Sequence, residues 1–302
     1  MAETRRGFVL GAAAYAMWGL FPLYWPLLRP AGAVEILAHR IFWSLVVMAL
    51  LVVLLGRTRH LRGVIDDRRT LGILAVAAAV ITVNWGTYIW GVNNGHVVET
   101  SLGYFINPLV TVLMGVVILG ERLRRLQWVA MGIATLAVLG LTVEYGRPPW
   151  VALALAFSFG SYGLAKKKAN VGAVESLTVE TLVLAPLAAG YILWLVEQNT
   201  STFGAEGASH ALLITTAGVV TAVPLICFGA AATRVSMTTI GLLQYLAPTI
   251  QFALGVLLFH EAMPPMRWGG FALVWLALVI FTYEALNHRR RQLRLTAEAS
   301  AV

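Results

Sequence analysis

Four charged residues are the first candidates for a functional role in this sequence. Arg40 lies inside a long apolar stretch of the first half of the chain, and Glu180 lies inside another in the second half. An ionised side chain in apolar surroundings needs a partner of opposite charge. Glu35, at the start of the same apolar stretch, and Glu99, at the start of another, could each pair with Arg40; we expect Glu99, because a pair between two helices can act as a closure. We expect Arg234 to pair with Glu180. The hypothesis is that each pair acts as a gate, alternately made and broken; the alternative is that both are permanent structural ties.

Uncharged polar and aromatic side chains inside the apolar stretches form a second set of candidates. Asn84 and Tyr88 are one helical turn apart, a spacing that places them on one face of a helix. Amide and phenol groups can hydrogen-bond a small solute, or they can hold neighbouring helices together. The whole set is Trp18, Asn84, Tyr88, Tyr104, Asn107, Tyr162, Gln244 and Tyr245.

The composition indicates which kind of protein positions these residues. The chain has 302 residues, of which 59% are hydrophobic and 12% are charged. Soluble domains carry about 25% charged residues, so a soluble enzyme is excluded. One cysteine, Cys227, excludes a disulfide framework and a cysteine-based metal site. The net charge of +8 comes from short basic clusters between apolar runs, which is typical of a polytopic membrane protein and not of a nucleic-acid-binding one.

Ten segments are long and apolar enough to be transmembrane helices, since a span needs about 20 residues. They are 8–28, 33–55, 71–93, 98–120, 126–143, 150–166, 174–196, 208–232, 237–259 and 267–286. With the N-terminus inside, 18 of the 22 basic residues fall in cytoplasmic segments. The sequence therefore predicts a protein of the inner (plasma) membrane with both termini in the cytoplasm, ending in a basic tail over 288–302.

The chain also contains an internal repeat. Residues 104–128 align without a gap on residues 244–268, so that Pro108 meets Pro248, Gly115 meets Gly255, Glu121 meets Glu261 and Trp128 meets Trp268. Each half holds five predicted spans, and Arg40 falls on Glu180 in the same register. Because five is odd, the second half enters the membrane in the opposite orientation to the first. Inverted repeats of this kind are typical of secondary transporters, which need two equivalent halves to alternate.

Several strings resemble a known family. The repeat ends are similar to the EamA-type domains of the drug/metabolite transporter superfamily, and YAMWGLFPLYW (15–25), EILAHRIFWS (35–44), ETSLGYFINPL (99–109) and ATRVSMTTIGLLQYLAPT (232–249) resemble its RarD branch. The resemblance implies two domains, 5–147 and 148–287. It also implies ten helices around a central cavity lined by spans 1, 3, 4, 6, 8 and 9, which places the polar and aromatic set on that cavity. The implied function is a permease for small metabolites or drugs.

Enzyme motifs are missing from the sequence. No GxSxG and no Walker A motif occurs, and the string that begins at His260–Glu261 has Pro264 where a zinc-binding HExxH needs its second histidine. We therefore expect no enzyme activity, no cofactor and no metal. The partners expected are a small-molecule substrate and membrane lipid, with no nucleic acid. A carrier that works without ATP is the main prediction; a proton-coupled antiporter and a non-transporting membrane scaffold are the alternatives.

Overall fold

The computed structural model describes residues 2–119, 123–232, 234–235 and 237–299. Within these residues the regular structure is helical and includes no strand. The α-helices are α1 (Ala2–Gly19), α2 (Phe21–Tyr24), α3 (Ala33–Leu54), α4 (Thr58–Asp66), α5 (Arg68–Asn93), α6 (Val97–Leu119), α7 (Arg125–Tyr145), α8 (Trp150–Ala169), α9 (Ala173–Glu197), α10 (Ala208–Ala232), α11 (Met237–Leu243), α12 (Leu246–Ala253) and α13 (Pro265–Ala299). The protein is an all-α polytopic membrane protein.

Eight of the described helical segments are long and apolar enough to cross a membrane. A ninth candidate, Thr4–Gly19 with Phe21–Leu28, is bent by 41° at Leu20. Pro22 explains the bend, because it lies in the first turn after the break and has no N–H for the preceding helix. The predicted sixth span corresponds to α8, which is 20 residues long, ends in Lys166, Lys167 and Lys168, and is not among the eight. The count of ten spans therefore stays a prediction.

The predicted ninth span is interrupted near the middle. Gln244 and Tyr245 separate α11 from α12, and a π-helical turn over Leu254–Leu258 follows. Pro248 accounts for the interruption, since it has no N–H to donate to the carbonyl of Gln244 one turn earlier. At the other end of the chain, α13 runs on to Ala299, so that the predicted tail begins as a continuation of this helix.

Two ion pairs show that α7 and α13 pack against each other in opposite directions. Near the end of α7, Glu144 pairs with Arg267 at the start of α13, at 2.9 Å. Just before α7, Arg124 Nη1 lies 2.9 Å from Glu284 Oε1 near the far end of the apolar part of α13. The two carboxylates occupy equivalent positions of the internal repeat, because Glu144 falls on Glu284 in the register that pairs Pro108 with Pro248.

The same relation holds for α3 and α9, which also pack together. Glu35, in the first turn of α3, accepts a 2.7 Å hydrogen bond from the backbone N–H of Thr202, in the loop after α9. Glu175, in the first turn of α9, pairs at 2.9 Å with Arg57, in the loop after α3. Glu35 and Glu175 are again repeat mates in this register. The two halves are therefore related by an approximate two-fold axis between antiparallel helices, as in inverted-repeat transporters.

Helices of each half pack between helices of the other half. Helix α1 packs against α10 and α12 of the second half, and α8 packs against α5 and α6 of the first. Helix α3 packs against α10 as well as α9. This exchange brings residues of α1, α3, α5, α6 and α10 to one buried region, where the main group of candidate site residues lies.

Candidate functional site

Arg40 is buried in an aromatic cage, with 4% of its surface exposed. Its guanidinium carbon lies 4.0 Å from the ring centre of Trp85, 5.0 Å from that of Trp25 and 5.8 Å from that of Phe21. The Nε atom donates a 3.0 Å hydrogen bond to the Thr221 hydroxyl. Cation–π contacts at these distances stabilise a desolvated guanidinium. The side chain that sequence reasoning assigned to a gate therefore lies where helices of both halves meet.

The expected pair between Arg40 and Glu99 is not formed in the described structure, and this correction has a simple geometric cause. Glu99 is 1% exposed and its carboxylate is held by Arg147, whose two terminal nitrogens lie 3.3 and 2.9 Å from it. It also accepts from the Val151 N–H in the first turn of α8, at 3.1 Å. The loop between α7 and α8 supplies Arg147 and the start of α8 supplies Val151, so this turn of the chain lies much nearer to the start of α6 than the sequence order suggested.

A cavity of about 260 Å³ lies beside this ion pair, at the ends of several helices. Its lining residues are Gly95, His96, Glu99, Tyr145, Arg147, Glu261, Ala262 and Arg267. Hydrogen bonding to Glu99 raises the pKa of Arg147. Burial raises the pKa of Glu261, against the opposing effect of its backbone hydrogen bonds. The sequence did not predict this cavity, and its only signal was the conspicuous position of Glu261 in the repeat.

Glu261 joins the two halves at the same end of the molecule. Its two carboxylate oxygens accept hydrogen bonds from the N–H groups of Val97 and Val98, at 2.5 and 2.9 Å. These N–H groups begin α6 and have no partner within the helix. A carboxylate at this position is also favoured by the helix dipole. Glu261 therefore caps a helix of the opposite half. Its repeat mate, Glu121, lies outside the described residues.

Asn84 links three helices close to the aromatic cage. Its Nδ2 atom donates to the Leu155 carbonyl and to the Ser158 hydroxyl, both at 3.0 Å. Its Oδ1 atom accepts from the Tyr104 hydroxyl at 3.1 Å. The ring of Tyr104 in turn lies edge-on to that of Tyr88, with centres 5.7 Å apart. The structure thus brings together Asn84, Tyr88 and Tyr104 from the set predicted to line a cavity.

Glu180 has a different cation from the one expected. Lys166 Nζ lies 2.8 Å from Glu180 Oε1, and the Tyr162 hydroxyl donates to Oε2 at 3.0 Å. Arg234, the predicted partner, donates to the Ala230 carbonyl at 2.7 Å. Only a short loop joins α8 to α9, so that Lys166 near the end of α8 lies next to the start of α9. The sequence analysis named only Arg234 as a partner for Glu180, so it did not predict the pairing with Lys166.

The remaining candidates are distributed around the molecule. Trp18 packs against Tyr15 and Phe228, with ring centres 5.3 and 5.8 Å away. Asn107 accepts a hydrogen bond from the Thr111 hydroxyl one helical turn later. Gln244 and Tyr245 lie in the break before α12, and Tyr245 packs against a separate apolar cluster that includes Phe105 and Phe271. Among the residues described, no three histidine, cysteine, aspartate or glutamate side chains are placed to hold a metal ion.

Comparison with known proteins gives a consistent result. The model of the EamA-like transporter family matches residues 5–143 and again residues 148–283. A protein from Streptomyces exfoliatus named RarD is 60% identical over 99% of this chain and 96% of its own length. An uncharacterized transporter of Vibrio cholerae is 43% identical over 97% of both chains. A solved crystal structure superposes with a TM-score of 0.56 at 19% identity, covering 91% of this chain and 96% of the other, which shows a likeness of fold alone.

Both halves of the chain therefore match one family model, and the relatives cover nearly its full length. The fold agrees with this assignment, because the two matched regions correspond to the two antiparallel sets of helices. The chain belongs to the EamA-like transporter family, in its RarD branch, and is a membrane transporter.

Proposed function

We propose that the protein is a secondary carrier, which moves a small organic solute across the inner (plasma) membrane by alternating access and without ATP. The observation that carries this proposal is the pair of symmetry-related ties, Glu144 with Arg267 and Glu284 with Arg124. Two similar halves in opposite orientations can exchange conformations, so that the shape that closes one side in one half is adopted by the other half to close the opposite side.

Contacts at the two ends suggest what would close the pathway. Glu261 holds the start of α6 at the end of the molecule that holds the cavity. Arg57 with Glu175, and Lys166 with Glu180, lie toward the other end. In an alternating cycle each set would loosen in turn. We therefore keep the hypothesis of two gates but change their cations. Glu99 pairs with Arg147 in place of Arg40, and Glu180 pairs with Lys166 in place of Arg234.

The test is flux in proteoliposomes. The candidate solutes are metabolites that accumulate more in the medium of cells that overexpress the protein than in the medium of cells that lack its gene. We expect the purified protein to move at least one of them down its gradient with no nucleotide present. Liposomes that contain the Glu261→Ala variant, which loses the cap on α6, are the matched comparison and should show a changed rate. Absence of flux for every candidate solute would contradict the proposed carrier mechanism.

A proton-coupled antiporter is the second candidate, and one observation favours it. Glu180 is 1% exposed and shares its carboxylate with Lys166, Tyr162 and Ser176, so a carboxylate that could carry a proton lies inside the helix bundle. An imposed pH gradient distinguishes the two mechanisms. Flux driven by the gradient alone would favour antiport, whereas flux that follows only the solute gradient would favour uniport.

The orientation of the carrier makes a separate prediction. Arg62 in α4 and Glu206 after α9 are both exposed, and they lie on opposite sides in the proposed topology. In a Cys227→Ala background, Glu206→Cys should react with an impermeant maleimide in intact cells, because its loop is external. Arg62→Cys should react only after the membrane is permeabilised. Labelling of both positions in intact cells would contradict the proposed orientation.

A further inference from the structure

Arg40 is a buried cation, and the described part of the chain places no anion beside it. Its titratable neighbours are the phenols of Tyr24, Tyr88 and Tyr104, which carry no charge at neutral pH. Nor does any acid form an ion pair with it within the described part of the chain. Glu99 and Glu180 have cations of their own, Arg147 and Lys166. Leaving a charge unpaired in the membrane is costly, so the site is poised to receive a negative charge.

The geometry of the guanidinium leaves one edge available. Its central carbon lies over the ring of Trp85, 4.0 Å from the ring centre, and Nε donates to Thr221. The two terminal nitrogens have no hydrogen-bond partner among the described protein groups. They form the edge of the planar fork that binds a carboxylate through two parallel hydrogen bonds. Stacking on an aromatic face and bidentate binding in the plane use different parts of the same group, so that both can occur together.

Two neighbouring donors are also without partners. The Tyr88 side chain is 3% exposed and its hydroxyl makes no hydrogen bond to described residues. The same is true of the indole Nε1 of Trp25, whose side chain is fully buried. Nearly all buried polar groups in proteins are hydrogen-bonded, so these two unpartnered donors near the free edge of Arg40 require an explanation. Arg40, Tyr88 and Trp25 can all donate to oxygen atoms of an anion.

From these observations we propose that Arg40 binds the carboxylate of a small organic anion, whose apolar or aromatic part packs against Trp25, Trp85 and Phe21. One guanidinium carries one positive charge, so a monocarboxylate leaves a neutral pair, whereas a phosphate dianion would leave excess negative charge in an apolar site. This inference rests on the proposed carrier function and names the class of its substrate.

Binding to the purified full-length protein tests the site without requiring transport. The probes are benzoate, phenylacetate and indole-3-acetate, each compared with its neutral amide, which has nearly the same shape. Affinity is measured by quenching of tryptophan fluorescence and by the rise in thermal midpoint. We expect at least one acid to bind at least about tenfold more tightly than its amide, the effect of one charge-assisted hydrogen bond. Equal binding of every acid and amide, or no binding of any acid, would overturn the proposal.

Variants then locate the binding to Arg40. Arg40→Gln should weaken binding of the acid at least about tenfold. Arg62→Gln, which removes an exposed arginine, should bind as the wild type does. Unchanged affinity in Arg40→Gln would refute the assignment.

A stability measurement covers the case in which Arg40→Gln does not fold. An arginine kept for binding is not needed for folding, so Arg40→Met without ligand should melt at or above the wild-type temperature. A large fall in its melting temperature would mean that Arg40 is a structural tie, and the proposal would fail. A failure of the carrier proposal alone would give a different result. Acids would then bind through Arg40, but no solute would cross the membrane of the proteoliposomes.

Discussion

Replacing Lys166 by Met is expected to destabilise the protein by about 3 kcal/mol, because it leaves the carboxylate of Glu180 buried without a cation. Glu180 is 1% exposed on its side chain and Lys166 is 24% exposed, so the pair is only weakly screened by solvent. The hydrogen bonds from Tyr162 and Ser176 remain, which places the effect at the lower end of the range for broken buried pairs.

A double-mutant cycle in detergent measures this effect as the change in thermal or denaturant midpoint. Glu180→Gln removes the charge and should recover part of the stability when combined with Lys166→Met. The matched control is Lys167→Met, which removes the neighbouring, exposed lysine and should have little effect. Equal losses of stability in Lys166→Met and Lys167→Met would mean that the ion pair with Glu180 contributes no more than an exposed lysine does.

The second large effect is expected at Arg267, where Arg267→Met should also cost about 3 kcal/mol. Its Nε and Nη2 atoms donate to the two oxygens of Glu144, at 3.0 and 2.9 Å, and its guanidinium stacks 4.3 Å from the ring centre of Tyr145. The side chains of Arg267 and Glu144 are only 16% and 10% exposed. Removing the arginine therefore leaves a largely buried carboxylate and an unstacked ring.

The symmetry of the fold provides the comparison for this variant. Arg124 is the counterpart of Arg267 at the other end of α7 and α13, but its side chain is 40% exposed. It lies 2.9 Å from Glu284 without hydrogen-bond geometry. Glu284 is as buried as Glu144, but the more exposed side chain of Arg124 makes no hydrogen bond to it, so Arg124→Met should cost less than Arg267→Met. Equal losses of stability in the two variants, measured by unfolding in detergent, would mean that burial of the arginine does not determine how much each ion pair contributes.

Patterns that repeat along the chain predicted the helices and the relation between the halves. Apolar length located the spans, and an odd number of spans in each half predicted antiparallel packing, which Glu144 and Glu284 confirm with their partners. The interruption at Gln244 could be anticipated from Pro248 in principle, since the lost hydrogen bond is a local property. Whether a proline breaks a helix nevertheless depends on packing, for Pro108 lies within an unbroken α6.

The partners of the buried charged residues were predicted less well than the helices were. Glu99 and Arg40 were matched because both were expected near the outer ends of their spans, and nothing in the sequence indicates how far apart two spans lie laterally. Arg147 and Lys166 were not among the candidate residues, yet each forms the ion pair expected of another residue. The aromatic cage of Arg40 was also missed, since its members come from the segment before α3 and from α5, and are assembled only by the packing of α3 against its neighbours.

The cap that Glu261 places on α6 has a consequence for biosynthesis. Val97 is made 164 residues before the carboxylate that completes its helix. At about 5 to 20 residues per second, the ribosome needs roughly 10 to 30 s to synthesise the intervening chain. During that interval the first N–H groups of α6 lack their final acceptor, and for most of it α1 lacks α10 and α12. The contacts of the amino-terminal half are therefore completed only by α10, α12 and the segment after α12 that carries Glu261.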